Sequence, residues 1–130
     1  MNRKYLKIIL LACCIVIACS IRFWWITAPC VRYYYRNNGQ LTKYSESLIN
    51  DYGTLKKQFP LPDWLMKSEV SDVELYKDHV DFTYYRYYTF PDGAMDHLVF
   101  SENGTLPSNL RKPIDSVRKL SNHWFYVETE

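Results

Sequence analysis

Four textures of apolar and polar positions follow one another along the chain. Residues 8–21 are fourteen positions without a charge, mostly Ile, Leu, Val, Ala and Cys, behind the basic residues Arg3, Lys4 and Lys7. Leu41, Tyr44, Leu48, Tyr52, Leu55 and Phe59 then recur at spacings of three and four, which predicts an amphipathic helix closed by Pro60 and Pro62. From Val70 the period changes to two. Val73 and Leu75 alternate with Asp72, Glu74 and Tyr76, and after a turn at Lys77-Asp78-His79 the stretch VDFTYYRYYTF, residues 80–90, is the clearest strand of all. Pro91-Asp92-Gly93 and Glu102-Asn103-Gly104 are turn signals on either side of a third strand, 95–101. Residues 114–120 fit a helical turn or a strand equally, and 123–128 predict a last strand. The expected fold is α+β: an N-terminal membrane anchor helix, then one amphipathic helix packed on a small antiparallel meander of three to five strands.

The leader supports two readings. A span needs about 20 apolar residues. Residues 6–26 supply a helix of roughly 31 Å at about 1.5 Å per residue, near the thickness of a bilayer's hydrocarbon core. Arg22 sits close enough to the end to snorkel, and Phe23, Trp24 and Trp25 fall where an aromatic belt belongs. The alternative is Val16-Ile17-Ala18-Cys19, which resembles a bacterial lipobox with Cys19 as the lipidated residue. A lipoprotein tether is polar and flexible, whereas the sequence after Cys19 runs Ser20-Ile21-Arg22-Phe23-Trp24-Trp25. An uncleaved anchor is therefore favoured. The division expected is a membrane segment over 1–28, a juxtamembrane linker over 29–40 ending at Asn37-Asn38-Gly39, and a soluble domain over 41–130. The basic start places the N-terminus inside and the domain on the extracytoplasmic side; lipidation at Cys19 would export it too.

Charge sharpens this picture. The 130-residue chain has a net charge of +2, but Arg3, Lys4, Lys7, Arg22, Arg32 and Arg36 precede every acidic residue. The part beyond residue 36 is mildly acidic, so no basic patch remains to neutralise phosphates, and nucleic acid is not an expected partner. The cysteines are Cys13, Cys14, Cys19 and Cys30. None lies in 41–130, which leaves that region without a disulfide framework or a thiolate ligand.

Chemical motifs are sparse. His79, His97 and His123 have no metal-ligand neighbours at motif spacing. There is no Gly-rich phosphate loop and no G-x-S-x-G elbow. Asp78 and Asp81 flank one hairpin and Asp92 and Asp96 the next, where acids are usually solvated. Asn103-Gly104-Thr105 fits a glycosylation sequon, but the turn explains the same residues. No catalytic, cofactor or metal residues are assigned, and no cofactor is expected.

Alternation puts Val80, Phe82, Tyr84, Arg86, Tyr88 and Phe90 on one face of the strand, assigned to the core, and Asp81, Thr83, Tyr85, Tyr87 and Thr89 on the other. Tyr85 and Tyr87, with His97 and Val99 from the next strand, stand on the open face, either as cross-strand packing that shields a thin sheet or as an interaction face for a partner or glycan. The function expected is that of a small membrane-anchored, non-catalytic binding protein with a protein partner, such as an immunity, inhibitor or envelope accessory protein. A glycan or small-ligand binder is the alternative, and a minimal hydrolase the second.

Overall fold

The computed structural model describes residues 2–54, 59–85, 94–110 and 113–129, with the backbone alone for residues 23–26. Helix α1 spans Arg3–Ile26. Its stretch Arg3–Arg22 is long and apolar enough to cross a membrane, with mean hydropathy 2.2 and none of that window buried against the rest of the chain. The side chains of Phe23, Trp24 and Trp25, expected to form a belt, lie outside the described residues.

Helix α2, Pro29–Asn50, begins after only Thr27 and Ala28. Residues 29–40, expected as a linker, are thus helical. Proline favours this start, because its fixed φ suits the first turn and its missing N–H would have no helical partner there. Cys30, Val31 and Tyr34 are buried, and with Leu41, Ser45 and Leu48 they extend one stripe at helical spacing. The Asn37-Asn38-Gly39 break bends this helix without ending it: Asn37 takes non-helical angles, φ −129° and ψ 19°, and its Nδ2 donates to the Tyr33 carbonyl at 3.1 Å.

The helix ends at Asn50 rather than continuing toward Phe59. Thr54 closes a turn there, its N–H and hydroxyl donating to the Asp51 carbonyl at 2.9 and 3.0 Å. Tyr52 is therefore 47 % exposed instead of facing the core, while Leu55 lies outside the described residues. A single further turn, α3 (Asp63–Met66), follows Pro62 and buries Leu65.

Five strands form one antiparallel sheet: β1 (Asp72–Leu75), β2 (His79–Tyr85), β3 (Met95–Ser101), β4 (Ile114–Lys119) and β5 (Trp124–Thr129). The ambiguous segment 114–120 is thus a strand. The order β1-β2-β3-β5-β4 differs from a plain meander. Composition accounts for the swap. β5 carries Trp124, Phe125, Tyr126 and Val127, all buried, and takes the inner place, whereas all six residues of β4 are exposed at the edge. Charged side chains and a register shift between Ile114 and Ser116 blunt that edge, as unpaired strands require. Arg86, Tyr87, Tyr88, Phe90 and the turn Pro91-Asp92-Gly93 lie outside the described residues.

The first face of the sheet carries the core. Val80, Phe82, Tyr84, Leu98, Phe100, Trp124 and Tyr126 pack with the buried stripe of α2. Tyr44 meets Phe82 at 6.4 Å between ring centroids, and the Trp124 indole N–H donates to Thr42 Oγ1 at 2.9 Å. On the second face Val99, Phe125 and Val127 are buried beneath Leu106 and Leu110. Val99, expected on an open surface, is covered because the connection after β3 carries these two leucines onto it. That connection starts with a turn that requires glycine: Gly104 has φ +70°, and a Cβ there would lie 2.8 Å from the Asn122 carbonyl oxygen.

Candidate functional site

The leucines pack on Val99, Phe125 and Val127 of β3 and β5. Beside them, and reaching across β2 to β1, the same face carries a cleft of about 230 Å³. Alternation builds it. Asp72, Glu74 and Tyr76 come from β1 and its end, Asp81, Thr83 and Tyr85 from β2, Met95 and His97 from β3, and Thr129 from β5, with Leu110 at the margin. The register sets Asp72 opposite Thr83, Glu74 opposite Asp81 and Thr83 opposite His97, so these side chains stand in one patch.

A chain of hydrogen bonds forms its floor. His97 Nδ1 lies 2.9 Å from Asp81 Oδ1 and 3.1 Å from Oδ2, and its Nε2 lies 3.1 Å from Thr129 Oγ1. A carboxylate only accepts, so Nδ1 carries the proton toward Asp81, and in the neutral ring Nε2 accepts from the Thr129 hydroxyl. Asp81, His97 and Thr129 are all buried. Tyr85, in contrast, is 58 % exposed and forms part of the wall. The opposite wall is ordered at β1, where the Tyr76 hydroxyl donates to Glu74 Oε2. The Tyr76 ring also stacks on His79, with centroids 4.2 Å apart and planes within 8°. His79 Nδ1 donates to Asp78 Oδ1 at 2.8 Å, and that bond holds the Asp78 carboxyl below its ordinary range.

The expected interaction residues therefore separate. Tyr85 is exposed at the cleft, His97 is 9 % exposed and belongs to its floor, and Tyr87 lies outside the described residues. Asp72, Glu74, Tyr76 and Thr129 were not singled out from the sequence. The signal for the β1 residues was their alternation, which becomes decisive only once the register with β2 is known. Cys19 is exposed on α1. No family model, curated protein or solved structure matches this chain.

Two other polar features are distinct from this cleft. On the core face the Tyr126 hydroxyl donates to Glu128 Oε1 at 2.8 Å and lies 3.1 Å from Asp96 Oδ1. Burial, then the nearby Asp96 charge, raises the pKa of this phenol well above its usual value. At the C-terminal end of α2, Glu46, Asn50, Phe100, Glu102 and His123 line a second cleft of about 310 Å³. It is larger, but Glu46, Glu102 and His123 are exposed, so it lacks the buried polar floor of the first. Among the described residues no group of three or more His, Cys, Asp and Glu side chains is placed to hold a metal ion.

Proposed function

We propose that this chain is a membrane-anchored, non-catalytic binding protein whose extracytoplasmic α+β domain holds a protein partner at the tyrosine-walled cleft on the second face of its sheet. The observation that carries the reading is Tyr85. It is a large amphipathic side chain left 58 % exposed beside a cleft whose floor is already fixed by hydrogen bonds. Tyrosine in such a position offers contact area with a polar tip at little entropic cost. A rigid floor lowers the ordering cost of association. An immunity or inhibitor protein, or an accessory subunit of an envelope complex, fits this arrangement.

Tyr85→Ser tests it. The variant should recover at least about tenfold less partner from solubilised membranes, as expected when a hot-spot aromatic is truncated, while its thermal midpoint stays within a degree or two of the parent, as for an exposed site. Undiminished partner recovery would remove the cleft from the account. Retention on insoluble peptidoglycan that is lost in Tyr85→Ser would identify a glycan as the occupant instead.

The anchor belongs to the same proposal. Mass measurement on the mature protein should find Met1 retained, and Cys19→Ala should leave the chain in the membrane fraction. A mature N-terminus at an acylated Cys19, lost with that substitution, would establish lipidation.

The Asp81–His97–Thr129 connectivity favours a second reading, because a carboxylate, an imidazole and a hydroxyl in this order form the relay of a base-activated nucleophile. It ranks behind binding because Thr129 is 2 % exposed, which leaves its oxygen little room to attack a substrate. Hydrolysis of an ester probe that disappears in Thr129→Val would reverse the ranking.

A further inference from the structure

We infer that the cleft receives a guanidinium group, presented on an arginine side chain of the partner; this rests on the reading of the cleft as a partner-binding site. The first argument is a buried carboxylate that lines the cleft. Asp81 is 6 % exposed, and among the described residues its oxygens lie 2.9 and 3.1 Å from His97 Nδ1. A carboxylate offers about four lone-pair sites, so Asp81 can accept further N–H donors beside the one from His97. Asp81 lines the cleft, so a group entering there reaches it.

The second argument is size. At about 230 Å³ the cleft falls below the roughly 300–1,000 Å³ that holds a whole drug-sized ligand. It suits one inserted side chain better than a free cofactor. The third is the character of the walls. Asp72 and Glu74 lie along the β1 side, Tyr76 and Tyr85 supply ring surface, and none of the described lining residues is Lys or Arg. A planar, weakly hydrated cation that donates several N–H bonds and stacks on aromatic rings is a guanidinium, whereas an ammonium is a compact and strongly hydrated point charge.

The test uses the full chain in nanodiscs of zwitterionic lipid, with N-acetyl-arginine methylamide as the probe. Its citrulline analogue has nearly the same shape without the charge, and its lysine analogue has the charge without the planar fork. The ring resonances of His97 and Tyr85 should shift saturably with the arginine probe, weakly with lysine and not with citrulline. Asp81→Asn should abolish the shift. Because Asp81 is buried and its replacement can perturb folding, Asp72→Asn is the companion variant: Asp72 is exposed, and Asn retains an oxygen for its bond to the Val73 N–H. It should weaken the response in a chain whose spectrum is otherwise unchanged. Equal shifts with citrulline, equal shifts with lysine, or no shift in the folded parent would each overturn the inference. Partner recovery that depends on Tyr85 without an arginine response would sink the guanidinium and leave the binding reading intact. An arginine response with recovery indifferent to Tyr85→Ser would do the reverse.

Discussion

A fragment beginning at Asn37 should fail to fold, whereas one beginning at Ala28 should fold. The sequence pattern favours the opposite expectation for the shorter fragment, since the apolar stripe is legible only from Leu41. The structure places Cys30, Val31 and Tyr34 in the core and buries them almost completely. Tyr34 also packs its ring against Trp124, with centroids 5.4 Å apart, and donates its hydroxyl to Ser121 at 3.0 Å. Removing three buried side chains at roughly 1.5–3 kcal/mol each forfeits about 4.5–9 kcal/mol. A domain this small has a total stability near the lower end of the usual 5–15 kcal/mol. The cut also exposes the apolar sheet surface beneath the lost turns. Amide dispersion in a two-dimensional NMR spectrum decides the matter: wide for 28–130 and collapsed for 37–130. Equal dispersion and equal thermal midpoints would show that the first two turns of α2 contribute nothing to the core.

Trp124→Ala should be the most damaging single substitution of those considered. The indole is 2 % exposed and touches three rings, with centroids 5.3 Å from Phe100, 5.4 Å from Tyr34 and 5.8 Å from Phe82. It joins the inner strand β5 to both halves of α2, through Tyr34 and through its N–H bond to Thr42. Truncating a buried aromatic of this size costs about 3–5 kcal/mol. For a domain of about 100 residues each kcal/mol lowers the midpoint by about 4–8 °C. The detergent-solubilised chain should therefore lose well over about 10 °C, or fail to show a cooperative transition. A drop of only a few degrees would mean that the sheet and helix are not joined through this residue.

Sheet alternation was readable because its period is intrinsic to a strand. Val80, Phe82 and Tyr84 face the core as their spacing implies, and the limits of β3 coincide with the turn signals around it. The start of α2 was not readable. Its first turns contain Arg32, three consecutive tyrosines and Arg36, so composition pointed to a membrane flank while the phase of Cys30, Val31 and Tyr34 pointed to the core. The position of β4 was hidden for a different reason. Which strand pairs with β3 depends on how well β4 and β5 fill the inner place, a competition decided by tertiary packing. The cleft was half legible. Asp81, Thr83 and Tyr85 share a face by alternation alone, but the bonds from His97 to Asp81 and Thr129 join residues 16 and 32 positions apart. Only the register of β2, β3 and β5 brings them together.

The central claim, that the cleft beside Tyr85 is the surface by which the anchored domain holds its partner, is tested most directly by photo-crosslinking in intact cells. A benzophenone side chain is placed at Tyr85 in one chain and at the exposed Lys43 of α2, on the opposite side of the sheet, in another. The account predicts a discrete heavier species from position 85 that is missing from position 43. Crosslinks from position 43 with none from position 85 would contradict it, and would move the partner to the helical side of the domain.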